Sequence, residues 1–334
     1  MVKTRLAGLL AVALGCIPSI GFAQDRTLTI YTYDSFATEW GPGPAIAEGF
    51  EARCGCTVDF VSAEDSISAL RRVQLEGDAT QADIVLGLDT AVLAEARDTG
   101  LFAEHGLTFD DLVLPTDFAD PLFVPFDYGY FAFVYDSETL PTPPASFEEL
   151  IALPDDFKIV IQDPRASTPG LGLILWIKAL YGDDAPAIWE GLAPHVLTVT
   201  TGWSESYDLF LAGEADMVLS YTTSPAYHIS AEGEDRYKAA RFDAGHYTQI
   251  EIAGILASSD DQELARDFLA YLASPEGQAP IPTTNWMYPV VDLPDLDPSF
   301  AQMIDPSPAL LLDSEIVGEN SRAWIEEAFA ALGR

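Results

Sequence analysis

The stretch from Lys158 to Leu180 constrains the fold most, because an apolar run (Lys158-Ile-Val-Ile161) passes through Gln162-Asp-Pro-Arg-Ala-Ser-Thr-Pro-Gly170 into a second, longer apolar run, Leu171 to Leu180. Four to five apolar residues suit a buried strand and ten suit a buried helix, so the segment predicts a strand feeding directly into a helix. Ser167-Thr168-Pro169 is the chemistry of a helix opening: a hydroxyl is expected to cap free backbone N–H groups, and Pro needs no N–H there. A helix N-terminus at the end of a strand in an open α/β sheet is also where such folds gather phosphates and other polar ligands.

The rest of the chain extends this α/β alternation. Thr27–Tyr33, Thr57–Val61 and Ala82–Leu88 read as strands, with helical patterns over Ala45–Ala52 and along the face Ile67, Leu70, Val73. Tyr128-Gly-Tyr-Phe-Ala-Phe-Val-Tyr135 is a long aromatic strand that ends before Pro141-Thr-Pro-Pro144, and Ser146-Phe-Glu-Glu149 follows as a capping box. The alternation then restarts with strand Phe157–Ile161, helix Pro169–Tyr181, helix Ser204–Ala212, strand Asp216–Tyr221 and an extended run Tyr247–Leu256, before helices over Gln262–Leu272 and Arg322–Leu332. The expected architecture is two α/β lobes with two strands crossing between them as a hinge, one near Tyr130–Val134 and the other near Thr248–Ile252. Residues 24–130 with 251–334 form the first lobe, part of the C-terminus being free to pack on the second, and residues 131–250 form that second lobe. Such a cleft suits closure around a small molecule.

Residues 1–23 have a basic start (Lys3, Arg5), an apolar centre from Leu6 to Ile20, and small residues at Gly21 and Ala23. This is an export signal with cleavage expected after Ala23 and a periplasmic destination. Reading Cys16 as a lipid-attachment site is disfavoured by Leu14, where a small residue is usual. Loss of Lys3 and Arg5 takes the formal charge from −37 to −39, which argues against nucleic acid or an anionic membrane surface as partner. An anionic small ligand is still possible, because exposed charges are screened beyond about 8 Å at physiological salt. Cys54 and Cys56 flank Gly55, and in an oxidising compartment a local disulfide is the first expectation, although so small a ring is strained. His105, His195, His228 and His246 show no metal-ligand spacing and read as surface or capping residues.

Aromatic residues gather at strand ends and in loops: Tyr33, Trp203 in Thr201-Gly-Trp-Ser-Glu205, Tyr221 and Tyr227 in Ser220-Tyr-Thr-Thr-Ser-Pro-Ala-Tyr-His228, and Trp286 in Thr284-Asn-Trp-Met-Tyr-Pro289. In turn-rich loops facing a cleft, such rings favour a flat, cationic ligand. The second strand-to-Ser-Pro pattern, at Tyr221–Ala226, predicts that each lobe offers one helix N-terminus to the cleft.

Six segments carry a more specific signal. Tyr31-Thr-Tyr-Asp-Ser-Phe36 with Trp40-Gly-Pro-Gly-Pro44, Val124–Asp136, Gln162–Leu173, Gly202–Glu205, Leu219–His228 and Asn285–Pro289 together resemble, in order and through nearly the whole chain, the periplasmic thiamine-binding proteins of ATP-driven (ABC) importers. The resemblance implies the type II two-lobe periplasmic-binding-protein fold and a receptor with no cofactor and no catalysis. It implies that the receptor captures thiamine, thiamine monophosphate or thiamine pyrophosphate as a monomer and delivers it to a membrane permease. By the same resemblance the ligand contacts are Asp65, Ser66, Ser167, Thr168, Trp203 and Tyr221, Thr222, Thr223, Ser224, with Tyr33, Tyr227 and Trp286 as further ring walls. Glycine can stand in the family where this chain has Ser66, so a backbone contact there shifts if the site needs positive φ.

The chemistry agrees with that implication. Tyr and Trp faces suit a thiazolium cation and an aminopyrimidine, Asp65 can accept from the amino group or neutralise the cation, and the Ser and Thr hydroxyls can donate to the tail. Three alternatives compete. A thiamine-degrading enzyme of the thiaminase I kind needs an accessible cysteine thiolate beside a base. A ferric receptor would use tyrosinates, but Tyr221 and Tyr227 are not adjacent. A polyamine receptor would use aromatic boxes with several acids. Serine hydrolysis finds no support, since Gly202-Trp-Ser-Glu-Ser206 lacks the second glycine of a nucleophile elbow.

Overall fold

The computed structural model describes residues 26–109 and 111–333. The expected export signal therefore lies outside the described residues. Nine of the eleven strands among the described residues organise the molecule, the other two being the short pairs Tyr288–Pro289 and Ala309–Leu310: β1 Thr27–Tyr33, β2 Thr57–Ala63, β3 Ile84–Asp89, β4 Phe123–Asp136, β5 Ile159–Gln162, β6 Val196–Thr200, β7 Met217–Tyr221, β8 Tyr237–Ala239 and β9 His246–Ile255. They follow the order β2-β1-β3-β9-β4-β7-β5-β6, with β8 alongside β4. β1 is parallel to β2 and β3, and β5 is parallel to β6 and β7, each strand returning through a helix. Parallel strands of this kind are covered on both faces, which is why β3 and β5 are buried throughout.

The two parallel groups meet only through β4 and β9, which run antiparallel to each other. Residues Phe123 to Tyr130 of β4 pair with β9, and Phe131 to Tyr135 pair with β7. One continuous strand therefore serves first one half of the sheet and then the other, near the position where the aromatic run Tyr128–Tyr135 marks a crossing.

The helices that matter for the site are α1 Gly43–Cys54, α2 Ser66–Glu76, α3 Thr168–Tyr181, α4 Trp203–Leu211, α5 Gln262–Leu272 and α6 Ser314–Ala331. α3 follows the strand Ile159–Gln162, as the Ser-Thr-Pro junction predicts, and is buried through its first ten residues, so its sequence is apolar on every side. α6 begins eight residues before the expected Arg322, because Asp313 accepts from the amides of Glu315 and Ile316 and supplies a cap upstream of the recognisable apolar periodicity. It packs against the short helix Leu93–Asp98 on one side and against α3 and the helix Ala185–Leu192 on the other, and so lies on both halves. Cys54 and Cys56 are joined by a disulfide at the end of α1.

The histidines correct the sequence reading. All four are buried. His246 accepts from the amide of Phe242 and pairs with the Phe131 carbonyl, while His228 lies between the Tyr207 hydroxyl and the Glu232 carboxylate. A ring with two polar edges is satisfied inside a core by one near and one distant partner, Phe242 and Phe131 for His246 and Glu232 and Tyr207 for His228, and spacing cannot reveal the distant one.

Candidate functional site

A cavity of about 610 Å³ opens between the two halves of the sheet. Local sequence explains how each wall is placed. β1 ends at Tyr33, and the ring lies over β3 only because Gly87, at φ +98°, has no Cβ; one added there would stand 2.4 Å from the ring. Trp203 opens α4 directly after Gly202, its indole N–H donating to Ser220 Oγ at 2.9 Å and its face stacked on Tyr207 at 4.9 Å. Trp286 closes the tight turn Ile281–Asn285 and, alone among the described non-glycine residues, has a positive φ, of 57°. A bulky residue held in the left-handed region costs on the order of 1–3 kcal/mol, and such strain concentrates at ligand sites. Its ring meets Tyr227 edge-on at 5.6 Å, so segments far apart in sequence join at the cavity wall.

Of the twelve residues expected from sequence, Tyr33, Asp65, Ser66, Thr168, Trp203, Tyr221, Ser224, Tyr227 and Trp286 line this cavity. Ser167, Thr222 and Thr223 lie behind its wall, fully buried, with hydroxyl oxygens that make no hydrogen bond. Ser66 is an ordinary first residue of α2, so the glycine that the family tolerates there is not required by the backbone.

Two expectations are corrected. The Ser167 hydroxyl does not cap α3. Asp65 takes that role from across the cleft: it caps its own helix at the Ser66 amide (2.7 Å), accepts from the Trp203 amide (3.3 Å), and lies against Ser167 and the Thr168 amide. A carboxylate answers the partial positive charge of a helix N-terminus better than a hydroxyl, and here one carboxylate faces three. The second correction concerns the two Ser-Pro turns, which both belong to the second half of the sheet. The first half presents the N-terminus of α2 instead, and Ser224 spends its hydroxyl on Ser220 Oγ (2.7 Å) and the Tyr221 amide.

The two walls are in contact. Ser204 Oγ donates to Asp34 Oδ1 at 3.2 Å, and the Ser68 amide donates to the Ala166 carbonyl at 3.1 Å. A Cβ on Gly202 would lie 2.8 Å from the Glu64 carbonyl, so this glycine permits the approach. Together with the Asp65–Trp203 contact, these define a cleft closed on itself.

Electrostatically the cavity is one-signed. Asp34, Glu64, Asp65, Asp208 and Glu251 line it, and among the described lining residues there is no Lys, Arg or His. Burial raises Asp65 to about 6, against the Ser167 hydroxyl and the Ser66 and Thr168 amides that hold it down. Asp34 is raised by burial as well. Burial, and then the neighbouring Glu251, push the hydroxyls of Tyr33 and Tyr221 well above the usual phenol range, so both act as neutral donors. Sequence reasoning missed Glu251, Asn285 and Trp40. Glu251 is the one acid in a strand whose alternation does not mark a cavity-facing position, and Asn285 gains its role only through the fold, donating to Asp127 at 2.6 Å. Trp40 was legible as part of the Trp-Gly-Pro-Gly-Pro run, and its ring is still 57% exposed at the cavity rim.

Two half-sheets joined by two long strands and closed on an aromatic, acid-lined cavity define the type II two-lobe class of periplasmic binding proteins. The profile of bacterial extracellular solute-binding proteins matches residues 38–279, and the chain belongs to that family. It is 50% identical over 307 residues to a thiamine-binding periplasmic protein of Escherichia coli (strain K12), covering 92% of this chain and 94% of that protein. To a thiamine-binding periplasmic protein of Brucella suis biovar 1 it is 49% identical over 333 residues, covering 99% of this chain and all of that one. A solved structure described as a periplasmic thiamin binding protein superposes with a TM-score of 0.91 at 49% identity, covering 96% of this chain and 100% of the other.

Proposed function

We propose that this chain is an extracytoplasmic receptor that captures thiamine in the cleft between its lobes and delivers it to the permease of an ABC importer. The observation that carries the reading is the cavity: ring walls from both halves, several carboxylates and no basic lining residue, in a chain half identical to thiamine-binding periplasmic proteins over nearly its full length. Those relatives' names also support a periplasmic location. The lobes are taken as residues 24–130 with 251–334 and residues 131–250, acting as one monomer.

In this reading Trp203, Tyr221, Tyr227 and Trp286 stack on the two rings, with Tyr33 closing the floor. Asp65 accepts from the aminopyrimidine or faces the thiazolium. Ser66 and Thr168 offer polar contacts at the α2 and α3 openings, and Ser167, Thr222, Thr223 and Ser224 supply the hydroxyls nearest the tail. The unpartnered hydroxyls at 167, 222 and 223 favour a ligand that brings acceptors, as thiamine monophosphate and pyrophosphate do. Cation–π contacts give about 0.5–2 kcal/mol each, whereas nanomolar binding needs about 12 kcal/mol, so closure and desolvation of the polar contacts must supply the remainder.

Calorimetry on the purified protein tests the proposal. One-to-one thiamine binding with a submicromolar Kd is expected; micromolar or absent binding of thiamine and both phosphate esters overturns it. The thiaminase alternative predicts turnover with an added nucleophile. It lacks a candidate thiol in the cavity wall, since Cys54 and Cys56 are bonded to each other and neither lines the cavity.

A further inference from the structure

Three acids stand in a row beneath the cavity. Asp89 on β3 is the register partner of Glu251 on β9, and Glu251 is the register partner of Asp127 on β4. Directly opposed residues on neighbouring strands have Cβ atoms about 4.5–5.5 Å apart, and like charges in that arrangement repel. All three are buried, at 1%, 4% and 0% exposure, and Glu251 alone reaches the cavity wall.

The groups that face the row are neutral or acidic. Tyr33 on β1 donates its hydroxyl to Glu251 Oε2 at 2.8 Å, Gln249 donates to Glu251 Oε1 at 2.8 Å, and Asn285 bridges the Tyr33 hydroxyl and Asp127. Asp89 accepts from the Ala91 amide at 3.1 Å. Asp65 ahead of α2, Tyr221 at the end of β7 and Tyr247 on β9, which feels Asp89, are the other titratable groups about the row, and no cationic side chain is among the principal influences on Asp89, Asp127 or Glu251. Two acceptors in the row, Asp127 Oδ1 and Gln249 Oε1, are buried with no donor. A carboxyl proton is what such a site lacks when it is drawn as carboxylates alone. The three acids do not gather as a metal-holding group among the described residues.

We propose that the Asp89–Glu251–Asp127 row is the charge-selecting element of the receptor: it holds protons while the cleft is empty and releases protons to solvent when a cationic ligand settles above Glu251. Burial lifts Asp89 to about 7 and Asp127 to about 8, the latter against the Asn285 hydrogen bond, and burial followed by repulsion from Asp127 lifts Glu251 well above the carboxylate range, which is the direction this exchange requires. A cation near Glu251 favours the ionised form and pulls those values down, so the proton leaves as the positive charge arrives and the buried charge changes little. A neutral ligand of the same shape displaces no proton and gains no counter-charge. The row therefore adds a selection against neutral look-alikes beyond the cation–π preference of the ring walls.

The inference rests on the receptor reading above, and the test separates the two. The mature protein is titrated calorimetrically with thiamine at pH 7 in buffers of low and high ionisation enthalpy. A parallel titration uses the neutral analogue in which a thiophene ring replaces the thiazolium; it keeps the aminopyrimidine, so proton exchange by the ligand itself cancels. Thiamine binding is expected to release roughly half a proton at pH 7 and to tighten about five- to tenfold from pH 6 to pH 8, while the analogue releases none and binds at least about 100-fold more weakly. Glu251→Gln should cut the proton release and reduce the thiamine-to-analogue affinity ratio by about tenfold or more. Asp89→Asn, which does not touch the cavity, should shift the release in the same direction, and circular dichroism melts show whether each variant folds. Tight thiamine binding whose heat is the same in both buffers and whose affinity is flat with pH overturns the proton exchange and leaves the receptor reading intact. No binding of thiamine by the wild type overturns the receptor reading itself.

Discussion

The two sides of the cleft are built from different chemistry. The side formed by β1, the start of α2 and the hinge strand β9 brings Asp34, Glu64, Asp65 and Glu251 to the cavity, with Tyr33, Trp40 and Trp286 as its rings. The side formed by α3, α4 and β7 brings Trp203, Tyr207, Tyr221 and Tyr227 with Thr168, Ser204 and Ser224, and a single acid, Asp208. One wall therefore supplies most of the negative charge, and the other adds ring faces and hydroxyls with little charge of its own. Asp65 is where the walls are joined, since it caps a helix of the first half and faces two helix openings of the second. Division of labour of this kind makes affinity depend on closure.

Asp65→Asn should break the comparison hardest. It removes charge from the first wall and weakens the latch to the second at once. Losing one partner of a buried, charge-assisted set costs about 2–5 kcal/mol, so thiamine affinity should fall on the order of 100-fold, read by calorimetry. If the loss is under about threefold, the first wall does not supply the charge recognition. Gly202→Val attacks closure without touching either chemistry: the new side chain meets the Glu64 carbonyl, and roughly a tenfold weaker Kd with a larger radius of gyration in small-angle scattering is expected. Trp203→Ala removes a ring from the second wall alone and should cost about 1–2 kcal/mol, with Trp203→Phe recovering most of it; a neutral analogue should lose the stacking part but not the cation–π part.

The acid wall also leaves a signature in the empty protein. Asp89 and its neighbours have folded values raised above the unfolded values of about 4, so the folded chain binds more protons and stability is lost as pH rises through those folded values. The buried His228 and His246 are lowered by burial and work in the opposite direction, an effect that fades as pH rises past their unfolded value of about 6.5. Between pH 6.5 and 8 the acid effect therefore comes to outweigh it. The ligand-free melting temperature should fall across that interval by an amount equivalent to about 1 kcal/mol, and Asp89→Asn should flatten the fall.

What the sequence made legible follows the same division. The ring-and-hydroxyl wall was readable because its residues sit in turn-rich strand ends, Gly-Trp-Ser-Glu and Ser-Tyr-Thr-Thr-Ser-Pro, where an exposed aromatic has no packing reason to be. Strands β1, β3 and β9 and helices α3 and α5 were found to within a few residues because apolar periodicity sets them. β6 and the helix Ala185–Leu192 were not, since their apolar residues alternate too briefly to separate strand from helix. The acid row was invisible for a different reason. Asp89 ends β3 while Asp127 and Glu251 are single acids inside β4 and β9, and only the register of these three strands sets them side by side. The same holds for Asp65 capping α3: Ser167 is the local solution to a capped helix, and tertiary closure supplied a stronger one.

Ser167→Ala is the smallest change and the one that sharpens the comparison most finely. The hydroxyl is buried, makes no hydrogen bond of good geometry and lies beside the Asp65 carboxylate that it helps hold down, so removing it takes away at most a weak contact of the empty protein. A hydroxyl without a partner carries a desolvation cost, and its loss should leave the melting temperature unchanged or slightly raised, within about 0.5 kcal/mol. If the second wall holds its hydroxyls in reserve for the ligand's tail, the same variant should weaken thiamine monophosphate by about 0.5–1.5 kcal/mol, up to roughly tenfold, and weaken a ligand shortened at that end much less. A lowered melting temperature with unchanged affinity for both ligands would instead place Ser167 in the packing of α3, and the second wall would then recognise its ligand through ring faces alone.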